Sequence, residues 1–225
     1  MQHILIAGAS RGIGLALTQA FMKRGDHVTV VVRKPGNEAL DRLANEHPGQ
    51  MKQIISDLTA ADAASKIASG IEHDLDVILL NAGISGPKNI ENATVEDITN
   101  LFMTNTVSPI RIARAIQNRL KADGVLAFTS SQMGSVALAL SASMPLYGAS
   151  KAALNSLLQS WTHSDDAPNA TVLALHPGWV KTDMGGDSAP VTVEQSAAGL
   201  IKTLDQHHGR GGCHFVDFEQ QSLAW

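Results

Sequence analysis

The sequence predicts a doubly wound α/β domain on a mostly parallel sheet. Short apolar runs alternate with helical patterns, and small polar residues repeatedly follow the apolar runs. Seven runs are predicted to be strands: 4–7, 28–32, 51–55, 75–80, 125–128, 171–175 and 213–218. Continuous apolar runs of this length are typical of parallel strands that are buried on both faces. The alternation therefore predicts strands joined by crossover helices in a layered α/β domain.

Helical spacing of apolar residues predicts the crossover helices. The first begins near residue 15, and the others cover 37–46, 60–72, 94–121, 146–163 and 192–204. Residues 135–144 are predicted to form a loop beside a pocket, and residues 181–190 resemble a mobile lid. The chain contains no internal repeat, low-complexity tract or linker, so residues 1–225 are predicted to form a single domain.

Composition excludes several classes of function. The chain has 225 residues, 44% of them hydrophobic, and a net charge of −4. That charge and the absence of a basic run argue against nucleic acid or an anionic membrane as a partner. The histidines are scattered without ligand spacing, so no metal site is expected. The single cysteine, Cys213, cannot form an internal disulfide, and no apolar run could span a membrane, so we expect a cytoplasmic protein.

A glycine-rich turn follows the first strand. Gly8, Gly12 and Gly14 separate that strand from a helix, a layout that presents backbone N–H groups to a phosphate. A purely structural turn is the alternative. The run 8–12 also matches the Gly-x-Ser-x-Gly nucleophile elbow of α/β-hydrolases, with Ser10 as nucleophile. An elbow normally needs an earlier strand and loop for its oxyanion hole, and no strand precedes this one. Phosphate binding is therefore favoured.

Tyr147 and Lys151 lie four residues apart at the start of a predicted helix. Residues i and i+4 share one helical face, so both side chains can enter the same pocket. An ammonium beside a phenol favours the phenolate and lowers the phenol pKa from about 10. This pair predicts a proton donor to a carbonyl oxygen, or a base for an alcohol. By itself the spacing is also common in ordinary helices.

Other polar residues lie at the predicted strand ends or within a helix. Asn81 follows the fourth strand, where an open parallel sheet binds its ligands. Asn105 falls in the middle of a predicted helix, where it is either exposed to solvent or a positioned polar group. Ser130 and Ser131 follow the fifth strand.

In this order, these motifs resemble the short-chain dehydrogenase/reductase family from end to end. The matching positions are Gly8-x-x-x-Gly12-x-Gly14, Asp57, Asn81-Ala82-Gly83, Asn105, Ser131, Tyr147-x-x-x-Lys151 and Pro177-Gly178. The segments 131–135 and 176–186 look more narrowly like carbonyl reductases of the C-factor/sniffer type. The resemblance implies a single Rossmann-type domain with a seven-stranded sheet.

The sequence departs from the family pattern at three places. Ala7 replaces a threonine whose hydroxyl braces the glycine turn in relatives, and Leu80 stands where relatives often have another asparagine. Ser131 lies sixteen residues before Tyr147, a little more than is common. Ser130 therefore stays a rival, although Gly134 fits the family's Ser-x-x-Gly register with Ser131.

The resemblance implies a role for each matching residue. Tyr147 would be the general acid/base, and Lys151 would lower its pKa and hold the nicotinamide ribose. Ser131 would bond the substrate oxygen, and Asn105 would hold a water that links Lys151 to solvent. The other implied cofactor contacts are Gly8, Ser10, Arg11, Gly12, Ile13, Gly14, Asp57, Leu58, Asn81, Ala82, Gly83, Pro177, Gly178, Val180 and Thr182.

The end of the second strand bears on the choice of dinucleotide. NAD is normally held there by a carboxylate that accepts from the ribose hydroxyls. Here the strand ends in Arg33 and Lys34, and Arg11 would face the same phosphate. Cations with a guanidinium fork suit the 2′-phosphate of NADP, so NADP is expected and NAD is less favoured. A solvated strand end is the alternative.

We therefore expect an NADP-dependent oxidoreductase that acts on a carbonyl or alcohol substrate. A dinucleotide-binding signalling or regulatory protein with little turnover is the alternative, because a fold does not determine function. An apolar substrate pocket is predicted, although its members could equally be core: Leu138, Leu140, Met144, Trp179 and Met184. The apolar helices around Asn105 and Tyr147 predict a homo-oligomer, with burial against the sheet as the alternative.

Overall fold

A computed structural model describes all 225 residues of the chain. The seven strands are β1 (His3–Ala7), β2 (His27–Val32), β3 (Met51–Ile55), β4 (Leu75–Leu80), β5 (Leu120–Thr129), β6 (Thr171–His176) and β7 (Cys213–Asp217). They form one sheet in the order β3-β2-β1-β4-β5-β6-β7. Every neighbouring pair is parallel, so the predicted doubly wound sheet is confirmed.

Seven α-helices cover the two faces of the sheet. They are α1 (Gly12–Lys23), α2 (Glu38–Glu46), α3 (Ala63–Gly70), α4 (Val95–Phe102), α5 (Ser108–Ile116), α6 (Pro145–Thr162) and α7 (Val193–His207). One core cluster includes Phe21 and Leu200 from α1 and α7, and the other includes Leu158 and Trp161 from α6. Ile4 and Leu5, consecutive in β1, are fully buried in opposite clusters. Burial on both faces explains the uninterrupted apolar strands.

The strand order reverses direction at β1. The chain runs outward from β1 through β2 to β3, then returns to pair β4 with the other side of β1. In open parallel sheets, a crevice forms at this reversal, outside the carboxyl ends of the strands. The glycine turn after β1 therefore lies where such a fold binds its ligand.

The predicted helix over 94–121 is wrong in its interior and at its end. The structure divides it into α4, a π-helical turn at Met103–Val107 and α5, and a 3₁₀ turn at Gln117–Arg119 follows. Pro109 has no N–H for the carbonyl of residue 105, so regular α-helical bonding is interrupted there. The chain is already in β5 at Leu120.

Other boundaries shift by a few residues. The helix predicted over 60–72 is shorter, because Ala60 belongs to a turn that bonds to Asp57 and the helix ends at Gly70. Cys213 lies at the start of β7, where burial raises its pKa to about 11 and leaves it a poor nucleophile. No helix in the structure is both long enough and apolar enough to cross a bilayer.

Candidate active site

The glycine turn is a tight passage between β1 and α1. Gly8 has a φ of 92°, and a Cβ there would lie 2.7 Å from the Ala82 nitrogen. A Cβ on Gly14 would lie 2.1 Å from the Gly8 oxygen, so neither position accepts a side chain without a backbone shift. Arg11 is the N-cap of α1, and its side chain makes no capping hydrogen bond. The first N–H groups of α1 thus have no side-chain partner, which suits a phosphate.

Asn81 holds this turn from the neighbouring strand. Its Nδ2 donates to the Gly8 oxygen at 2.9 Å, and its Oδ1 accepts from the Thr129 hydroxyl at 3.0 Å. The side chain therefore joins the ends of β1, β4 and β5. The implied ribose contact of Asn81 would be made by a side chain already bonded twice within the protein.

Asn105 lies in the π-helical turn and is fully buried. Its Oδ1 accepts from the Ile84 nitrogen at 2.9 Å. Its Nδ2 donates to the Ile84 oxygen at 2.8 Å and to the Ser150 hydroxyl at 3.0 Å. Of the two readings for this mid-helix residue, solvent exposure is wrong and a positioned polar group is correct. The amide ties the segment after β4 to α6.

Lys151 is buried, with 2% of its surface exposed. Its Nζ donates to the Thr129 oxygen at 2.8 Å and lies 5.9 Å from the centre of the Tyr147 ring. Burial lowers the pKa of Lys151 to about 8. A Cβ on Gly83 would approach Asn105 Oδ1 to 3.3 Å and Lys151 Nζ to 3.5 Å. Gly83 therefore leaves room beside the ammonium.

Tyr147 is mostly enclosed but keeps some solvent access. Burial raises its pKa to about 12, and a hydrogen bond with the Ser131 side chain opposes this rise. The expected lowering of the phenol pKa by Lys151 is thus wrong for this arrangement. The ammonium donates to the Thr129 oxygen, and burial disfavours the charged form of the phenol. The phenol is neutral at working pH and carries a proton.

The two candidate serines have different surroundings. Ser130 is 1% exposed and donates to Asn155 Oδ1 at 2.7 Å, and Asn155 in turn donates to the Gly134 oxygen. Ser131 caps the 3₁₀ turn Gln132–Gly134 by accepting from the Met133 nitrogen at 3.1 Å. The pKa of Tyr147 is affected by the Ser131 side chain, whereas the Ser130 hydroxyl is committed to Asn155. Ser131 therefore stays the preferred candidate for the serine beside the phenol.

The outer strands carry the residues expected at the adenosine end. Asp57 follows β3, and both the backbone and the hydroxyl of Thr59 bond to its Oδ1. These bonds, with a smaller effect of the Arg33 charge, lower the pKa of Asp57. Arg33 and Lys34 follow β2, are exposed and take part in no ion pair. Both cations remain available to a ligand.

Arg11 contacts the lid loop after β6. Its Nη1 lies 2.6 Å from Asp183 Oδ2, and both side chains are about three-quarters exposed. Beside this ion pair, the Thr182 methyl lies 3.4 Å from the position of a Cβ on Gly12. Arg11 was expected to face the same phosphate as Arg33. In the structure it bonds Asp183, so a phosphate would have to compete for it or share it.

The apolar residues expected at the pocket are not core. Four of them are large and exposed: Leu138, Leu140, Trp179 and Met184. Met144 is partly exposed at the start of α6. Trp179 is fixed by a hydrogen bond from Nε1 to the Gly185 oxygen at 2.8 Å. The alternative that these residues belong to the core is therefore wrong for all five.

The remaining predicted residues also lie after the carboxyl ends of strands. The glycine turn, with Ser10 and Ile13, follows β1, and Leu58 follows β3 with Asp57. Pro177, Gly178, Val180 and Thr182 follow β6. The sequence analysis did not single out two further residues at this edge of the sheet. Thr129 joins Asn81 to Lys151, and His176 has a buried Nδ1 without a partner. Their position at strand ends was the available signal.

Comparison with known proteins identifies the family of the chain. A model described as short chain dehydrogenase matches residues 2–191. The chain belongs to the short-chain dehydrogenase family. This confirms the resemblance inferred from the motifs.

Members of the short-chain dehydrogenase family with solved structures superpose over the whole chain. A carbonyl reductase from Pseudomonas aeruginosa PAO1 in complex with NADP is 47% identical, with a TM-score of 0.93 and full coverage of both chains. The carbonyl reductase Sniffer of D. melanogaster is 32% identical, with a TM-score of 0.88 and full coverage of both.

C-signal of Myxococcus xanthus is 31% identical over 158 residues, 67% of this chain and 93% of that protein.

Proposed function

We propose that the protein is an NADPH-dependent carbonyl reductase in which Tyr147 donates the proton. The observation that carries the proposal is the meeting of Tyr147, Ser131 and Lys151 beside the strand ends. The Ser131 side chain opposes the rise in the pKa of the Tyr147 phenol, and Lys151 Nζ lies 5.9 Å from the centre of the Tyr147 ring. A neutral phenol next to a hydroxyl donor suits protonation of a carbonyl oxygen.

When bound, the dinucleotide supplies the hydride, and the chain supplies position and proton. Ser131 and Tyr147 both donate to the substrate oxygen, where negative charge develops as the carbonyl is reduced. Tyr147 then transfers its proton. The phenolate that remains is stabilised by the nearby Lys151 ammonium, which with a pKa of about 8 is mostly charged at pH 7.

In this scheme Asn105 is a positioning residue. All of its side-chain contacts are with Ile84 and Ser150, so its amide orients α6 against the segment after β4. A water that links Lys151 to solvent would instead use the main-chain oxygen of Asn105. Pro109, four residues on, has no N–H to give to that oxygen.

The choice of NADPH over NADH rests on the end of β2. Arg33 and Lys34 are exposed there without ion-pair partners, and no carboxylate follows the strand to hold a 2′-hydroxyl. A phosphate dianion gains charge-assisted hydrogen bonds from a guanidinium, whereas a ribose hydroxyl does not. The P. aeruginosa carbonyl reductase, bound to NADP, supports this choice.

The substrate is expected to be an apolar aldehyde or ketone. Leu138 and Leu140 precede α6, Trp179 and Met184 follow β6, and all four side chains are exposed. Exposed apolar surface near polar catalytic groups is typical of a small-molecule site.

A turnover screen tests the proposal. Aldehydes and ketones of increasing apolar size are offered to the protein with NADPH or NADH, and loss of reduced cofactor is followed by absorbance. We expect consumption with NADPH that increases with the apolar character of the substrate. Tight NADPH binding without consumption across the panel would contradict the reductase.

That second outcome would favour a dinucleotide-binding signalling protein. The similarity to C-signal of Myxococcus xanthus is the observation that keeps this candidate. The proposed proton donor argues for the enzyme, because a protein that only binds a dinucleotide has no use for one.

A further inference from the structure

The loop between Ser131 and Tyr147 has few internal contacts. Residues 135–144 form turns, and apart from two bonds to Trp225 their hydrogen bonds reach at most four residues along the chain. Ala139 has a φ of 52°, an uncommon conformation for a residue with a side chain. The loop nevertheless carries Leu138 and Leu140 to the proposed substrate pocket. Its position therefore depends on contacts with other parts of the chain.

The segment 219–225 reverses direction after β7 and packs back along it. Asp217 Oδ1 accepts from the nitrogens of Glu219 and Gln221 and so closes the turn. The Leu223 nitrogen then donates to the Phe215 oxygen at 2.8 Å. The Trp225 ring packs on Phe215 with ring centres 5.3 Å apart. The sheet thus holds Trp225 in place.

Trp225 joins this anchored segment to the loop. Its main-chain oxygen accepts from the Ala137 nitrogen at 3.1 Å and from the Ser135 hydroxyl at 3.3 Å. The Ser135 hydroxyl also accepts from the Leu138 nitrogen at 3.0 Å, and Ser135 is 3% exposed. The main-chain oxygen of Trp225 therefore accepts two hydrogen bonds from the residues just before Leu138.

We propose that Trp225 is a positioning residue for the active site: by holding Ser135 and Ala137, it fixes the loop that forms one side of the substrate pocket. The inference rests on the proposed reductase function. Trp225 makes no hydrogen bond and no aromatic ring contact with Tyr147 or with the glycine turn, so its effect is expected on substrate binding. Loss of the anchor raises KM for the carbonyl compound and leaves NADPH affinity unchanged.

The experiment compares Trp225→Ala with Leu223→Ala. Leu223 packs against the same core cluster, but it makes no hydrogen bond with the loop. Trp225→Phe keeps an aromatic ring for Phe215 and is the conservative rescue. Ser135→Ala removes the hydroxyl that donates to Trp225 and accepts from Leu138, without disturbing the ring, and provides a second variant if Trp225→Ala folds poorly. Amide hydrogen exchange across 135–144, KM, kcat and the NADPH dissociation constant are measured on each.

Each hydrogen bond of this kind changes an equilibrium by about two- to tenfold. Trp225→Ala keeps the main-chain oxygen but removes the ring that holds it against Phe215, so both hydrogen bonds to the loop should weaken. We therefore expect Trp225→Ala to speed exchange at Ala137 and to raise KM by about three- to tenfold, with a smaller change in kcat. Ser135→Ala should act in the same direction with a smaller effect. Leu223→Ala and Trp225→Phe should leave both measurements near those of the unmodified protein.

Two results overturn the inference alone. One is unchanged exchange in Trp225→Ala, or equal changes in Leu223→Ala. The other is faster exchange without any change in KM, which would leave the anchor without a role at the site. If the unmodified protein turns over no carbonyl compound, the proposed function fails and this inference fails with it.

Discussion

Tyr147 and Lys151 are both poorly solvated, and burial moves their pKa values in opposite directions. It raises the pKa of Tyr147 to about 12 and lowers that of Lys151 to about 8. At neutral pH, the phenol keeps the proton that a reductase must donate, while the lysine is still mostly cationic. The lysine, rather than the tyrosine, is thus the group that changes charge near working pH.

A pH profile follows from the Lys151 pKa. The ammonium is present below about pH 8 and is lost as the pH rises through that value, so carbonyl reduction should decline about tenfold per unit above it. The measurement is kcat/KM at saturating NADPH between pH 6 and pH 10, with circular dichroism as the control for unfolding. A plateau that extends to pH 10 would show that the lysine charge is unnecessary.

The two adjacent serines provide a matched pair of variants. Ser131→Ala should lower kcat by about 100-fold, because it removes one donor to the developing oxyanion. Ser130→Ala should cost about 1–3 kcal/mol of unfolding free energy, because it leaves the buried Asn155 Oδ1 without its donor. Kinetics and chemical denaturation separate the two effects. If Ser130→Ala lost more turnover than Ser131→Ala, Ser130 rather than Ser131 would be the donor to the substrate oxygen.

Among the elements, the strands and the glycine turn could be predicted because their signals are local. Apolar runs mark most of the strands. The spacing of glycines in the motif indicates a tight turn, and the close packing of backbone around Gly8 and Gly14 requires glycine at both positions. The π-helical turn at Asn105 could not be predicted from apolar periodicity. Its cause is a single proline that interrupts an otherwise continuous helical pattern.

The expected preference for NADPH over NADH can be tested at Arg33, which follows β2. Arg33→Asp should weaken NADPH binding by about 10- to 100-fold, because it replaces a charge-assisted bond to the 2′-phosphate with repulsion. NADH, which lacks that phosphate, should be affected much less. Arg42→Asp on α2, at an exposed position, makes the same change in net charge and is the control. An unchanged ratio of the two dissociation constants would count against NADP.

Across the whole molecule, the prediction of a homo-oligomer has limited structural support. The residues that made the two helices apolar mostly face the sheet: Ile112, Ala113, Ile116, Leu154, Leu158 and Trp161 are buried. Leu157 of α6, however, is 42% exposed, and Ile110 of α5 is only partly buried. An exposed leucine on an outer helix face is available to a second copy of the chain.

Light scattering at micromolar concentration measures this association. We expect a dimer or tetramer, and Leu157→Asp should shift the mass towards the monomer because it places a charge in the apolar contact. Glu194→Gln, a change at an exposed position of α7, serves as the control. A monomeric mass for the unmodified protein would rule out the interface.

The long-range contacts that complete the site were not available from the sequence. The bond from Asn81 to Gly8 spans 73 positions, and the bond from Arg11 to Asp183 spans 172. Motif order identified the residues on each side. It could not show that Thr129 joins Asn81 to Lys151, because such contacts depend on the register of neighbouring strands.

Turnover and cofactor binding in Tyr147→Phe test the central claim most directly. Tyr147 is the only tyrosine of the chain, so the variant removes the one phenolic hydroxyl and keeps the ring. We predict that carbonyl reduction falls by at least about 100-fold, as expected when a general acid is lost, while the NADPH dissociation constant changes little. Near-normal turnover with tight NADPH binding would contradict the assignment of Tyr147 as the proton donor.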